Sequence, residues 1–193
     1  MVRREHASSN PWRDLRAAPR ARVERERAWT DAEAKALLDG PASPSLRLLM
    51  EVAALTGARL DAIIRMEVKG DTIVLPPQKK ESGPRTIPLH THLRGSLREG
   101  HTWPWPASNR ASQAFTTYRR AVLGPDDPGR RRAVANFHSW RRFFISKAAL
   151  AGIDERIISD VVGHARRSMT GRYSAGATQG QMRVCVEAVS LPE

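Results

Sequence analysis

Two histidines, a tyrosine and several arginines hold positions that hydrophobic packing does not explain. His138 and Arg141 stand three residues apart, so a helix puts them on one face, with Arg142 beside them at i+4. Trp140, Phe143 and Phe144 fall on the opposite side and bury that helix. A buried helix carrying His and Arg needs partners for them or an anionic ligand. A salt-bridged core helix is the plain alternative, and for an isolated His-x-x-Arg it is the commoner outcome. His164 follows Gly163 at a helix end, and Tyr173 comes nine residues later in SMTGRYSAG, a segment without apolar period. Tyr118, the other tyrosine, fits the core stripe of its helix. A phenol ionises near pH ~10, so nucleophilic use of Tyr173 requires a cationic neighbourhood that stabilises phenolate. Nearby arginines could supply one.

The composition narrows the ligand. Lys plus Arg number 32 against 20 Asp plus Glu, a net +12, and 27 of the 32 are arginine. Residues 1–28 hold eight Arg against four acids, and residues 119–142 hold seven Arg against two, so +9 of the +12 lies in 52 residues. Codon bias would spread the charge more evenly. Guanidinium groups fork onto phosphate oxygens, and the clustering points to a polyanion such as DNA. Arg130, Arg131 and Arg132 suit phosphate-backbone contacts. His90 and His92 have ligand-like spacing without a third partner, and a turn or groove position suits them better than a metal.

A chain of 193 residues suits one domain plus tails. No apolar run approaches the roughly 20 residues of a membrane-spanning helix. The arginine-rich start has no hydrophobic centre of the kind a secretory signal needs, so a cytoplasmic protein is expected. The single cysteine, Cys185, excludes an internal disulfide framework and a zinc cluster.

These side chains need elements to carry them. Residues 1–28 mix Pro, Ser and alternating charges and read as a basic linker or arm. Thr30 with Glu33 is a capping box that starts a helix ending near Gly40. Leu46, Leu49, Met50 and Ala53 mark a core helix that Gly57 stops, and a second amphipathic helix is predicted from Asp61 to about Met66. Ile73–Leu75 and Thr86–Leu89 read as two short strands around a polar turn, Gln78 to Pro84. Gly95 to Ser108 is a connecting loop in which Trp103 and Trp105 either pin the loop or stack on bases. Ala114, Phe115, Tyr118 and Val122 follow helical spacing. A helix is predicted from Asn136 to Ala151, closed by Gly152, and Asp154 caps one more that ends at Gly163. The pattern is a mostly α-helical α+β domain interrupted by a small sheet.

Four stretches, taken together, resemble the tyrosine recombinases, or phage integrases. LTGARLDAIIRM from Leu55 resembles the family's first arginine motif and matches it at Thr56, Gly57 and Arg59. KKESGPRTIPLH resembles the strand-turn-strand element with the catalytic lysine, where Lys79 and Lys80 both precede the turn and counting back from Pro88-Leu89 favours Lys80. NFHSWRRFFISKAALAG resembles the motif pairing His138 with Arg141, and VVGHARRSMTGRY the segment that joins His164 to the nucleophilic tyrosine. All four occur in family order, within residues 29–180.

The resemblance implies an integrase-type catalytic domain over 29–180, with a small antiparallel sheet and a carboxyl-terminal tail at 181–193. It implies that Tyr173 attacks a DNA phosphodiester to form a 3'-phosphotyrosine, while Arg59, Arg141 and His164 hold the phosphate. His138 would exchange the tyrosine proton, and Lys80 would protonate the departing 5'-oxygen. No metal or nucleotide cofactor is implied. The implied partner is double-stranded DNA, with a homotetramer assembled on it by exchange of the tail. Ala62 stands where the family usually has glutamate, with Asp61 adjacent, and Arg142 stands where many members have a second histidine. The family's amino-terminal core-binding domain has no counterpart, and SSNPWRDLRAAPR resembles the linker between the two domains, so a fragment is expected. A type IB topoisomerase would use the same residues, and a truncated DNA-binding piece without activity is the non-enzymatic alternative.

Overall fold

The computed structural model describes residues 26–77, 83–125, 134–164 and 176–193. At its start Thr30 and Glu33 exchange hydrogen bonds as a capping box and open α1, Asp31–Asp39. Arg27 also reaches Glu33, and these donors hold the carboxyl at about 2, well below its usual value. Ser43 caps α2, Pro44–Thr56, and the proline in its first turn needs no amide partner. Leu49, Met50, Val52, Ala53, Ala54 and Leu55 are all fully buried, which makes α2 the central core helix.

A short α3, Leu60–Ile64, leads into a three-stranded antiparallel sheet of β1, Glu67–Lys69, β2, Thr72–Leu75, and β3, Arg85–Pro88, in that order. Register pairs Val68 with Ile73 and Ile73 with Ile87, so one apolar row faces the core. β1 was not among the predicted strands, because its single buried residue, Val68, is too little for a period to show. A 3-10 turn at Thr91–Leu93 follows.

The carboxyl-terminal half supplies α4, Ser108–Leu123, α5, Ser139–Leu150, and α6, Glu155–Val162. α5 starts three residues later than its pattern suggests, because Asn136 takes the His138 amide on its side chain and gives its own amide to Ser139 Oγ. Trp29, just before the first cap, packs edge-on against Phe115 of α4 and against Trp140 of α5. Trp103 donates its ring N–H to the Ile63 carbonyl at 2.8 Å, which pins the Pro-rich loop to α3 as one of its two expected roles requires. Asp61 is engaged by Arg65 and by Ser108 Oγ, and Ala62 is fully buried.

The expected tail is built into the domain. Residues Gln179–Glu187 form α7 behind a Thr178–Gln181 capping box, and Cys185, Val186 and Val189 are fully buried. Arg183 bonds Asp71 and the Leu89 carbonyl, Glu187 takes both donors of Thr91, and His90 Nε2 lies 3.1 Å from the Val189 carbonyl. His90 therefore serves the packing of α7. Among the described residues the fold is the mostly helical α+β domain that the sequence pattern predicts, and none of their helices is long and apolar enough to cross a membrane.

α2 and α6 both end in left-handed glycines, Gly57 at φ 62° and Gly163 at φ 73°. A Cβ on Gly57 would lie 2.7 Å from Phe144 Cδ1 and 2.8 Å from Val162 Cγ1. Gly57→Ala is thus expected to combine left-handed strain with overpacking at a cost of about 2–4 kcal/mol. The corresponding fall in melting temperature is roughly 10 °C by thermal denaturation. Gly95→Ala, with nothing within 4 Å of the new atom, should melt like the parent.

Candidate functional site

Arg141 is the most buried charge in the described structure, at 2% exposure. It lies on α5 between Trp140 and Phe143, which share in the core, so the helix cannot turn it outward without exposing aromatic surface. Its Nη1 donates to the Gly57 carbonyl at 2.8 Å and to the Val162 carbonyl at 2.6 Å. Both acceptors belong to helix carboxyl ends, where the aligned peptide dipoles favour a cation. Each lies two residues before a sequence-predicted site residue: Gly57 before Arg59, and Val162 before His164. One guanidinium therefore fastens together the ends of two helices from which the other groups project.

His138 is the cap residue of α5, one turn before Arg141 and Arg142. It keeps an exposed surface, yet part of the ring is withdrawn from water, and this lowers its pKa from 6.5. The positive charges of Arg141, Arg142 and Arg59 push in the same direction, against an opposite pull from Glu26. His164 is lowered likewise, by partial desolvation first and then by Arg141, Arg59 and Arg85, with Glu155 opposing. Arg59 and Arg141 thus act on both imidazoles, and the two rings, 26 positions apart in sequence, share one cationic environment. The lowered values favour the neutral form of each ring, whose free nitrogen lone pair can take a proton.

The structure brings together Arg59, His138, Arg141 and His164. His138 also lines an open cleft of about 260 Å³, together with Ala58, Leu60, Thr116 and Asn136. Lys80, Tyr173 and the Arg130, Arg131 and Arg132 cluster lie outside the described residues. The roots of two segments are visible. The Leu75–Arg85 pair ends the β2–β3 ladder on the side of the segment that includes Lys80. The chain leaves α6 at His164, and its return is fixed to α6 by Ala177 N–H on Asp160 at 2.7 Å. Gln179 Nε2 also reaches the Thr86 carbonyl at 3.1 Å.

Arg142 is engaged by the incoming chain, bonding the Glu26 carbonyl and, through Nη2 at 3.1 Å, its carboxylate. Two groups at the site were not singled out from sequence. Arg85 sits inside the RTIPL stretch, where its charge had no assigned role, and Glu26 lies in the arm with no local pattern to mark it. Among the described residues no cluster of His, Cys, Asp and Glu has a geometry fit to hold a metal ion.

No protein-family model matches the sequence, and no curated protein matches it. Solved structures do. An integrase from mycobacterium phage Brujita superposes with a TM-score of 0.66 at 17% identity, over 98% of this chain and 62% of that one. The lambda integrase catalytic core gives a TM-score of 0.55 at 19% identity, over 72% of this chain and 96% of that one. A lambda integrase tetramer bound to a Holliday junction gives 0.59 at 22% identity, over 83% of this chain and 50% of that one. The chain spans about three-fifths of the Brujita integrase and half of that lambda chain, and nearly all of the isolated core. Its fold is that of a phage-integrase catalytic domain.

Proposed function

We propose that this domain cleaves and rejoins DNA strands in site-specific recombination, integration or excision, as a tyrosine recombinase. The observation that carries the reading is the meeting of Arg59, His138, Arg141 and His164, from three separate stretches of chain, around the buried Arg141. The integrase fold supports it independently. Transfer of a phosphoryl group between oxygen atoms needs charge stabilisation at a pentacoordinate phosphorus, and preorganised cationic donors supply that.

In this reading the Tyr173 oxygen attacks the phosphorus of a phosphodiester. The bond to the 5'-oxygen breaks, and the chain is left joined to DNA as a 3'-phosphotyrosine. Arg59 and Arg141 hold the non-bridging oxygens and His164 donates to the same phosphate. His138 accepts the phenol proton, and Lys80 gives a proton to the leaving 5'-oxygen. A second 5'-hydroxyl reverses the step. The stored phosphodiester energy lets the reaction run with no nucleotide and no metal among its parts. Arg130, Arg131 and Arg132, with Arg142, add contacts to the DNA backbone.

Assembly as a tetramer on DNA, by exchange of residues 181–193, would move Cys185, Val186 and Val189 from this chain's core into the same pocket of a neighbour. Such a swap keeps each buried contact and replaces only its covalent connection.

Incubation with duplex DNA nicked beside a candidate site is expected to give a denaturant-resistant protein–DNA adduct. Tyr173→Phe should abolish the adduct, and Arg59→Ala should slow its formation by on the order of a hundredfold. An adduct that survives Tyr173→Phe contradicts the assignment, and relaxation of a plain supercoiled plasmid would indicate a topoisomerase instead. The pH profile is a separate test. At DNA concentrations below saturation the rate reports groups of the unbound protein. With both histidine values lowered from 6.5, the neutral imidazoles persist below that pH. Cleavage should therefore fall in acid with a midpoint below 6.5, whereas a midpoint at or above 6.5 would contradict the proposed proton acceptor.

A further inference from the structure

The Glu26–Arg142 pair places an anion at the rim of the cationic site. Arg142 grips two oxygens of one residue, the main-chain carbonyl and the carboxylate of Glu26. The neighbouring residue is fixed as well: Arg27 N–H donates to the Val134 carbonyl at 3.0 Å, two residues before Asn136 and five before α5. The segment is thus laid across the amino end of the helix that bears His138 and Arg141. The pair is accessible from solvent, with 36% of the Arg142 side chain and 32% of the Glu26 side chain exposed. Within this neighbourhood the charges acting on His138 are Arg141, Arg142 and Arg59 on the positive side, and Glu26 alone on the negative side.

A guanidinium forked onto two oxygens has the geometry with which arginine takes a phosphate. We infer that in the unbound protein the Glu26 carboxylate occupies the place of a DNA backbone phosphate at Arg142, and that duplex DNA exchanges with it. The inference rests on the DNA reading of this site and adds an internal competitor to it. The competitor sits at the carboxyl end of the basic arm, next to the cap of α1. Release of Glu26 frees Arg142 for a backbone phosphate beside the one held by Arg59 and Arg141. It also leaves a carboxylate that recovers a counterion, so part of the electrostatic gain from that phosphate is cancelled.

The test is binding of the full chain to a non-specific duplex, followed by fluorescence anisotropy across a series of salt concentrations. Glu26→Gln keeps the shape and removes the charge. It should bind several-fold more tightly at about 0.1 M salt, and the slope of log affinity against log salt should steepen by about one. The double variant E26Q/R142Q should lose that gain and return to the parent slope. Equal affinity and slope for Glu26→Gln and the parent would overturn the inference, leaving the pair a structural tie. Retention of the steeper slope in the double variant would overturn it too, because the added contact would then lie elsewhere. If neither parent nor variant binds duplex, the DNA reading falls and the inference with it. Circular dichroism melts check folding, and should Glu26→Gln fail to fold, Glu26→Asp, which draws the carboxylate back by one methylene, is expected to move affinity in the same direction.

Discussion

A buried guanidinium bonded to two helix ends organises this domain. Taking Arg141 out of water costs several kcal/mol unless its donors are satisfied. The Gly57 and Val162 carbonyls repay part of that, since a hydrogen bond from a charged donor contributes about 1.5–3 kcal/mol and helix carboxyl ends add a favourable dipole. The arrangement demands that α2 and α6 stop at the same place, and left-handed glycines stop both. Gly57 must also be glycine because Phe144 and Val162 press against it. The residues that follow these stops, Arg59 and His164, are delivered to the site by the same constraint. Stability and site geometry are therefore aspects of one contact, and a change at Arg141 disturbs both.

Concentrating cations has an electrostatic consequence that suits anion chemistry. Arg59, Arg85, Arg141 and Arg142 all act on one or both imidazoles, and the acids that oppose them there are Glu26 and Glu155. Partial burial first and this field second lower both imidazole pKa values, and a bound phosphate would oppose the field. In the proposed reaction, proton acceptance and phosphate recognition would both draw on this one charge distribution.

Much of this was legible in the sequence. The Thr30–Glu33 box, the glycine stops and the aromatic face of α5 each rest on local chemistry, and each is found where the residues place it. Helical spacing suggests that His138 pairs with Arg141, and the resemblance to the tyrosine recombinases is what implies that Arg59 and His164 join them. What escaped depends on contacts between distant segments. β1 is stabilised by its pairing with β2 and offers almost no pattern of its own. α7 carries a readable capping box at Thr178 and Gln181, but its short stripe reads only as a carboxyl-terminal tail, because the partners of this helix, β3 and α6, are distant in sequence. Glu26 has no signal at all, because its meaning comes from Arg142, 116 positions away.

His138 and His164 share one partly buried, cationic environment to which Arg59 and Arg141 both contribute. The most direct measurement is a nuclear magnetic resonance titration of both imidazoles, first in the unbound protein and then with a short duplex. Both should titrate below 6.5 when unbound and rise together when the duplex is added, as one phosphate offsets the arginines acting on both rings. A rise at one ring with the other unmoved, or unshifted values at both in the unbound protein, would contradict the account.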